Sequence, residues 1–187
     1  MATISDLSKG NFIRYNGEIV QVEELQHRTP GNLRAFYQIK MRSVRTGKLA
    51  ENRFRPGDSV ELLRVETKEY QFLYNDGDSL VCMDNETFDQ IYLDKVLLGD
   101  SVKYIKEGVK LIIAFENGTN PITAEAPNTV VVNITYTEPG LQGDTATRTL
   151  KAATIETGAE IRVPLFVNTG DNVKIDARTG EYIERVK

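Results

Sequence analysis

Apolar and polar residues alternate along much of this 187-residue chain, and a period of two predicts β-strands with one buried face. In the segment 35–42 the odd positions are apolar, whereas Gln38, Lys40 and Arg42 are expected to face solvent. The inward sets predicted for this strand and two later ones are Ala35, Tyr37, Ile39 and Met41; Val130, Val132, Ile134 and Tyr136; and Ile161, Val163, Leu165 and Val167. The continuous apolar run 111–115 is instead typical of a central strand that is buried on both faces.

Turn dipeptides that contain glycine separate the predicted strands. They are Asn16-Gly17, Thr46-Gly47, Asp76-Gly77, Asn117-Gly118, Pro139-Gly140 and Thr179-Gly180. Asn-Gly and Asp-Gly supply the positive φ angles that tight hairpins need, so this rhythm predicts an all-β chain of many short antiparallel strands, in a sandwich or barrel. Helical signals are few. A short amphipathic helix is predicted over 86–93 with Asn85 as its N-cap, and one further helical turn over 100–106.

Charge is distributed unevenly and, with the turn rhythm, divides the chain into three parts of about 60 residues. Residues 1–64 carry a net charge of +4, residues 65–128 carry −7 and residues 129–187 carry −1. A barrel of this size buries too little surface to be more than marginally stable alone, and the joints contain no flexible Gly/Ser linker. We therefore predict three mutually bracing domains, at 1–64, 65–128 and 129–187.

The composition argues against several classes of protein. No run of about 18 apolar residues exists, so no transmembrane helix or membrane partner is expected, and the first residues show no secretory-signal pattern. Cys82 is the single cysteine and His27 the single histidine, which disfavours a disulfide, a zinc site or a catalytic triad. Dinucleotide and phosphate-loop fingerprints are absent. We expect a cytoplasmic protein with no cofactor, no metal and no catalytic residue, in which Cys82 is a small buried hydrophobe and His27 is structural.

The most unusual segment connects a strand that ends near residue 22 to the strand 35–42. Pro30-Gly31 favours a tight reversal with a positive φ at Gly31, which places the loop tip at Gly31, Asn32 and Leu33. Between Arg28 and Arg55 there are eight basic residues and one acid, Glu51. The basic residues are Arg28, Arg34, Lys40, Arg42, Arg45, Lys48, Arg53 and Arg55. They predict a docking surface for a polyanion, although basic residues on an ordinary solvated strand face would give the same pattern.

A second loop of small residues lies over 139–147. Gly143, Asp144 and Thr145 would allow a ligand to approach the backbone and leave N–H and hydroxyl groups free. An ordinary connecting loop has the same composition, so from these residues alone both interpretations stand.

Several short motifs occur along the chain in a characteristic order. The last third contains Lys151-x-Ala153, Gly158, Ile161-x-Val163-Pro164, Val167 and Gly170, with Pro139-Gly140-Leu141 and Gly143-Asp144-Thr145-Ala146 before them and the ending 180–187 after them. The middle third contains Tyr74-Asn75-Asp76-Gly77 and Asn85-Glu86-Thr87-Phe88, and the first third contains Pro30-Gly31 and Thr46-Gly47. Together they resemble the bacterial translation elongation factor P family through essentially the whole chain.

The resemblance implies three small β-barrels, an N-terminal KOW barrel of the SH3-like kind followed by two OB-folds, in an elongated L shape. It implies a non-enzymatic factor, here taken as a monomer, that binds the ribosome beside the peptidyl-tRNA and relieves stalling at consecutive prolines by orienting the tRNA acceptor end. The hairpin tip, formed by Pro30, Gly31, Asn32, Leu33 and Arg34, would contact that acceptor end. The loop of Gly143, Asp144 and Thr145 would face the codon side, and thus the mRNA, near the exit site.

The hairpin tip departs from the family pattern. Most members carry a lysine, and one branch an arginine, that an enzyme modifies at the position which Asn32 occupies when Pro30-Gly31 is aligned without a gap. Asparagine lacks the amine or guanidinium that those modifications use. Three explanations follow: the tip works unmodified, Arg34 does the reaching, or an unfamiliar modification occurs. We favour the unmodified tip, in which the small residues pre-organise the loop.

Two other functions compete with this one. An OB-fold protein that binds single-stranded RNA would need aromatic stacking platforms, whereas the aromatic residues here are scattered and tryptophan is absent. An enzyme would need a convergent acid/base cluster, and no such cluster is visible in the sequence. A specialised paralogue of the same family that acts on other stalls remains open because of Asn32.

Overall fold

The computed structural model describes residues 2–31, 34–139 and 150–186, and most of these residues lie in β-strands. The prediction of an all-β chain is therefore confirmed. The chain divides into two compact units, one of Met1–Lys68 with Ile113–Thr123 and the other of Glu69–Ile112 with Ala124–Lys187. Among the described residues, the helical segments are all too short to cross a membrane.

The first sheet has six strands in the order β1-β6-β2-β3-β4-β5. Its strands are β1 (Ala2–Thr3), β2 (Phe12–Tyr15), β3 (Glu18–Arg28), β4 (Phe36–Ser43), β5 (Leu49–Phe54) and β6 (Ser59–Leu62), and a short 3₁₀ helix spans Ile4–Asp6. The buried core comprises Ile4, Leu7, Ile13, Val20, Val22, Ile39, Met41 and Val60. The alternation predicted over 35–42 is observed in β4, where Ile39 and Met41 are buried and Lys40 and Arg42 are exposed.

The second sheet has five strands in the order β11-β10-β7-β8-β9. They are β7 (Val65–Asp76), β8 (Ser79–Asp84), β9 (Gln90–Asp94), β10 (Lys110–Glu116) and β11 (Asn120–Glu125). The prediction that the run 111–115 is buried on both faces is wrong at Ile112, which is 42% exposed although Leu111 and Ile113 are fully buried. The pleat of β10 turns Ile112 to a side that is open at this point, and the other face packs in the core.

The third sheet also has five strands, in the order β14-β13-β12-β15-β16. They are β12 (Thr129–Thr137), β13 (Leu150–Ile155), β14 (Glu160–Pro164), β15 (Asn172–Asp176) and β16 (Tyr182–Val186). The inward alternation predicted for β12 is observed as far as Ile134 but is wrong at Tyr136, which is 61% exposed. The register with β13 shifts between Ile134 and Tyr136, and this irregularity turns Tyr136 outward and Thr137 inward.

Within the described residues one six-residue turn occurs three times, once after each of the strands β4, β8 and β15, and we call it the threonine turn. Its copies span 43–48, 84–89 and 176–181. In each copy the fifth residue donates its N–H to the carbonyl of the first at 2.8–3.0 Å, and the first residue donates to the carbonyl of the sixth at 2.9 Å. The side chain of the first residue accepts from the backbone inside the turn, and the threonine at the fourth position accepts from the sixth residue.

The threonine turn at 84–89 replaces the helix that was predicted over 86–93. Asp84, not Asn85, accepts the capping hydrogen bonds, at 2.8 Å from the N–H of Glu86. The chain reverses after a single turn and continues as β9. The amphipathic helix prediction was therefore wrong, because a capped turn followed by a strand has the same cap signal and the same spacing of apolar residues as a short helix.

A 3₁₀ segment over Lys95–Lys103, broken at Gly99, precedes β10 and overlaps the helical turn predicted over 100–106. Residues just beyond it contact the third sheet within the same compact unit. The Lys106 ammonium lies 2.8 Å from a carboxylate oxygen of Glu156, and the Thr157 hydroxyl donates to the carbonyl of Lys103 at 2.6 Å. The Tyr104 ring lies against Gly180, the fifth residue of the third threonine turn. These contacts fix the segment onto that sheet.

Candidate nucleic-acid interface

Strands β3 and β4 form a hairpin whose last paired residues are Arg28 and Phe36. Gln26, His27 and Arg28 are exposed at three successive positions of β3, so both faces of the strand are open to solvent here. This end of the hairpin therefore extends largely past the residues that pack on the core, and Thr29, Gly31 and Arg34 beyond it are also exposed.

The predicted tip lies only partly within the described residues. Gly31 lies in the turn after β3, and both Gly31 and Arg34 are exposed. Asn32 and Leu33, which include the position equivalent to the modified residue, lie outside the described residues. The expectation of a positive φ at Gly31 is wrong, and a Cβ there would meet no atom within 4 Å. The turn at Pro30-Gly31 therefore does not depend on the conformational freedom of glycine.

Four arginines surround the Phe36 ring at this end of the sheet, and we call Arg28, Arg34, Arg53 and Arg55 the arginine cluster. Arg28 lies directly opposite Phe36, and the guanidinium carbon of Arg53 is 5.1 Å from the centroid of the Phe36 ring, within cation–π range. Arg34 and Arg55 line an open groove together with the same ring. Within residues 2–31, 34–139 and 150–186, none of the four forms an ion pair with an acid.

The arginine cluster combines two kinds of recognition in one place. Guanidinium groups donate paired hydrogen bonds that match the geometry of a phosphate, and they stay charged at any physiological pH. An aromatic ring between them offers a stacking surface for a nucleobase. The cluster is therefore suited to a nucleotide that presents both a phosphate and an unstacked base, as the single-stranded end of an RNA does.

Acids from β3 neutralise the centre of the predicted basic patch. Lys40 lies 3.0 Å from Glu24, and Arg42 lies 2.6 Å from Glu23. The hydrogen bond from Lys40 lowers the pKa of Glu24, and the same bond raises the pKa of Lys40. Both pairs are exposed, so they contribute little to stability, but they cancel charge locally. Net positive charge on this face is consequently concentrated in the arginine cluster.

The remaining two residues of the predicted patch lie elsewhere. Arg45 and Lys48 belong to the threonine turn that follows β4, and both are exposed. Seven residue steps along β4 separate that turn from Phe36, a distance of about 23 Å at the usual rise of a strand. The structure thus brings four of the eight basic residues together, pairs two with acids and leaves two at the far end of the strand.

His27 lies on the opposite face of the hairpin from Arg28. Its ring stacks on Tyr37, with 4.6 Å between the ring centroids and 24° between the planes. Tyr37 is the residue directly across the ladder from His27, so the stack stabilises the projecting part of the hairpin. This contact supports the interpretation of His27 as a structural residue.

Cys82 is fully buried in β8, and burial raises the pKa of its thiol from the usual 9.0 to about 11. A shift of this size leaves about 100-fold less thiolate at pH 8 than in an exposed cysteine. We expect the folded protein to react with a thiol reagent at least about 100-fold more slowly than the denatured protein, as measured by mass spectrometry at pH 8. Labelling of the native protein at the denatured rate would contradict this placement.

The buried thiol also sets a direction for stability at alkaline pH. Because the folded pKa is above the unfolded one, the stability contributed by the neutral thiol is complete below pH 9 and decreases as the pH rises through about 11. Urea denaturation at increasing pH measures this loss, and a Cys82→Ala variant, which has no thiol, should lack this part of the pH dependence.

Two further parts of the sequence analysis concern the loop of the third domain and metal binding. The loop of Gly143, Asp144 and Thr145 lies outside the described residues. Within the part of the chain that the structure describes, no group of three or more His, Cys, Asp or Glu side chains is placed to hold a metal ion.

Two residues of the site, Phe36 as a platform and Arg53 above it, were not singled out as a pair by the sequence analysis. The signal was present, because Phe36 occupies an even position of the alternating strand 35–42, on the face predicted to be open to solvent, where its ring is half-buried in the structure. Its pairing with Arg53 depends on the register between β4 and β5, in which Gln38 lies opposite Arg53. No local pattern in the sequence gives that register.

Family comparisons cover the chain in three consecutive segments. Residues 3–60 match the elongation factor P KOW-like domain, residues 65–123 the elongation factor P OB domain, and residues 130–185 the elongation factor P C-terminal domain. Elongation factor P of Chloroherpeton thalassium is 46% identical over all of both chains. That of Chloroflexus aggregans is 48% identical over 98% of each chain, and that of Kocuria rhizophila is 45% identical over 100% of this chain and 99% of its own.

Among solved structures the similarity is one of fold alone. A translation initiation factor eIF-5A family protein from Naegleria fowleri superposes with a TM-score of 0.50 at 17% identity, over 67% of this chain and 94% of its own. The matched domains are, in order, KOW-like, OB and C-terminal, and the first carries the hairpin with the arginine cluster. This order defines a translation factor built from a KOW-like domain followed by OB domains. The chain belongs to the elongation factor P family.

Proposed function

We propose that the chain is a translation elongation factor that binds the ribosome beside the peptidyl-tRNA and promotes peptide-bond formation at consecutive prolines. Family membership and full-length relatives that bear the name elongation factor P support the proposal. The observation that carries it is the arginine cluster on the projecting end of the β3–β4 hairpin. That surface suits the phosphates and the unstacked bases of a tRNA acceptor end.

The proposed domain boundaries are 1–64, 65–128 and 129–187. Three observations support them, since each range contains one matched family segment, one complete sheet and one threonine turn. In this proposal the first domain carries the acceptor-end contact, and the other two position it on the ribosome.

The proposed mechanism is orientation of the reactants. Proline is a poor nucleophile and a constrained donor, so a productive alignment of the two tRNA ends is reached infrequently. A factor that holds the peptidyl-tRNA end in place removes part of the entropic barrier, and intramolecular alignment of this kind is worth up to several kcal/mol, of the order found in model reactions. The ribosome makes the bond, and the factor itself is not an enzyme and uses no cofactor.

The hairpin tip is proposed to work without modification. Asn32 occupies the position that is modified in most members, and its side chain lacks the required amine. Arg34, two residues later, is exposed and lines the groove beside Phe36, so it is the side chain of the tip with the charge and length to reach a phosphate. Arg34 thus supplies the contact in place of a modified residue.

The remaining partners follow from the same proposal. The loop of Gly143, Asp144 and Thr145 is assigned to the codon side, where it would contact mRNA near the exit site. The factor is proposed to act as a monomer in the cytoplasm, where its ribosomes are.

The function is tested by translating a polyproline reporter in a reconstituted system in which the factor is itself synthesised and so carries no modification. We expect the wild-type factor to restore full-length product, Arg34→Ala to lose at least about tenfold of the rescue rate, and Asn32→Ala to lose less than about threefold. The reason is that a charge-assisted phosphate contact contributes about 1.5–3 kcal/mol, whereas asparagine forms at most a neutral hydrogen bond.

A reporter without consecutive prolines serves as the control and is expected to be insensitive to the factor. Absence of rescue by the unmodified wild type would contradict the unmodified tip. Equal rescue by Arg34→Ala would remove Arg34 from the contact. Rescue of a different stall sequence with none at prolines would identify the chain as a specialised member of the family.

A further inference from the structure

Phe88 holds an unusual position in the threonine turn that follows β8. Its backbone φ is +63°, in the left-handed region that is sterically unfavourable for any residue with a Cβ atom. Among the described residues, only Asn16 and Asn117 share such a φ without being glycine, and asparagine tolerates this conformation well. Phe88 is thus the one bulky side chain in the described parts of the chain that is held in a left-handed backbone.

The two other threonine turns show what this position normally holds. The fifth residue is Gly47 in one copy, with φ +68°, and Gly180 in the other, with φ +74°. Their hydrogen bonds match those around Phe88 to within a few tenths of an ångström. The same frame therefore forms readily around glycine, and phenylalanine at this position adds strain of about 1–2 kcal/mol without any change in the turn.

Burial does not offset the strain. The Phe88 side chain is 70% exposed, the largest exposed fraction among the large hydrophobic residues that the structure describes. Tyr92, at 66%, is exposed on the adjacent strand β9. A ring that faces solvent gains no packing energy to offset the backbone strain, and such outliers concentrate at functional sites.

The frame that presents the ring is rigid. The N–H of Phe88 bonds to the carbonyl of Asp84 at 3.0 Å, and the N–H of Asp84 bonds to the carbonyl of Asp89 at 2.9 Å. The Asn85 amide is anchored 3.2 Å from Glu69, which pairs with Lys110 at 2.8 Å. The ring is therefore presented with little backbone entropy left to lose on binding, which favours its use as an anchor.

The charges around Phe88 select the partner. Glu86 and Asp89 are exposed in the same turn as Phe88, and the segment 65–128 carries a net charge of −7. A phosphate backbone would be repelled by this surface, whereas a basic protein surface would be attracted. We propose that Phe88 inserts into an apolar pocket of a basic ribosomal protein, as the central anchor of a protein–protein contact. This inference rests on the proposed binding to the ribosome.

The test replaces the anchor by the residue that the sister turns carry. We expect Phe88→Gly to raise the thermal midpoint by about 2–4 °C, because it removes the strain. The same variant is expected to lower ribosome affinity about tenfold or more in a pelleting assay, because aromatic anchors dominate such contacts. A purely structural residue cannot produce both results together. Phe88→Tyr, which keeps the ring, is expected to retain most of the affinity.

The partner class is identified by a photoreactive phenylalanine analogue at position 88. A crosslink to a basic ribosomal protein supports the proposal, whereas a crosslink to ribosomal RNA, or none with ribosomes bound, overturns it. Asn117→Gly is the matched control, a left-handed turn residue in another hairpin, and it should change neither affinity nor crosslinking. If the wild type fails to bind ribosomes, the proposed function falls as well; if Phe88→Gly binds as tightly as the wild type, this inference alone falls.

Discussion

Replacing Arg28, Arg34, Arg53 and Arg55 together by glutamine lowers ribosome affinity by about 10²- to 10³-fold at about 0.15 M salt, on the counterion-release estimate of roughly 0.7–0.9 per phosphate contact. The logarithmic salt dependence should become shallower by about three for the same reason. All four side chains lie around the half-buried Phe36 ring, and none is paired with an acid within the described residues, although Arg28 donates to the neutral side chain of Gln26. The charge of each is therefore available to a phosphate. Pelleting assays over a range of potassium concentrations measure both quantities.

The matched control removes charge that is already neutralised. Glu24→Gln with Lys40→Met eliminates one exposed ion pair on the same strands and leaves the net charge unchanged. We expect its affinity and salt dependence to equal those of the wild type, and thermal unfolding to show that both variants fold. A salt dependence that stays as steep in the fourfold variant as in the wild type would remove the arginine cluster from the interface.

Gly180→Ala is expected to reduce the free energy of unfolding by about 2–3 kcal/mol. The left-handed φ of +74° costs an L-residue about 1–2 kcal/mol. In addition, the new Cβ would lie only 2.6 Å from two atoms of the Tyr104 ring, so the ring must move from its packed position at a further cost of about 1 kcal/mol. Urea denaturation measures the change.

Two variants separate the two causes. Gly158 has a φ of +87° but no atom within 4 Å of its Cβ position, so Gly158→Ala should lose only the conformational part, about 1–2 kcal/mol. In a Tyr104→Ala background the cost of Gly180→Ala should fall to the same value, because nothing remains to collide with. Equal costs for the two glycines in the wild-type background would show that the Tyr104 contact contributes nothing.

The strands were predictable where one face packs on a core. In β4 the buried Ile39 and Met41 fix the direction of every neighbouring side chain, because a slip of one residue would expose the apolar set. The same reasoning failed at Tyr136 and Ile112. A register shift in β12 turned Tyr136 outward, and in β10 the face that carries Ile112 is not fully covered by other parts of the protein. Neither event leaves a mark in the local sequence.

The basic segment shows a limit of counting charges along a chain. Glu23 and Glu24 lie outside the window 28–55, yet β3 runs antiparallel to β4 and places them beside Arg42 and Lys40. Charge on a sheet is a property of neighbouring strands, so the window overestimated the cationic area. The tip could be proposed as a candidate from the sequence alone because the turn residues and the arginines are local features.

The missed threonine turn had a sequence signal. The copies at 43–48 and 176–181 begin with Ser or Asp and have Thr-Gly at their fourth and fifth positions, and both turns were predicted from the glycine. The copy at 84–89 has the same Asp and Thr but Phe88 in place of glycine, so the pattern resembled a helix start. A comparison of the three segments with one another would have shown the shared frame.

The last three ladder pairs at this end of the β3–β4 hairpin, from Gln26–Gln38 to Arg28–Phe36, have a dynamic consequence. This end is held mainly by ladder hydrogen bonds and by the stack of His27 on Tyr37, and of its described residues only the half-buried Tyr37 packs against the core of the sheet. Its amide protons should exchange through local opening, at a lower free energy than global unfolding. The part proposed to contact the tRNA end can therefore adjust its shape repeatedly while the remainder of the sheet stays closed.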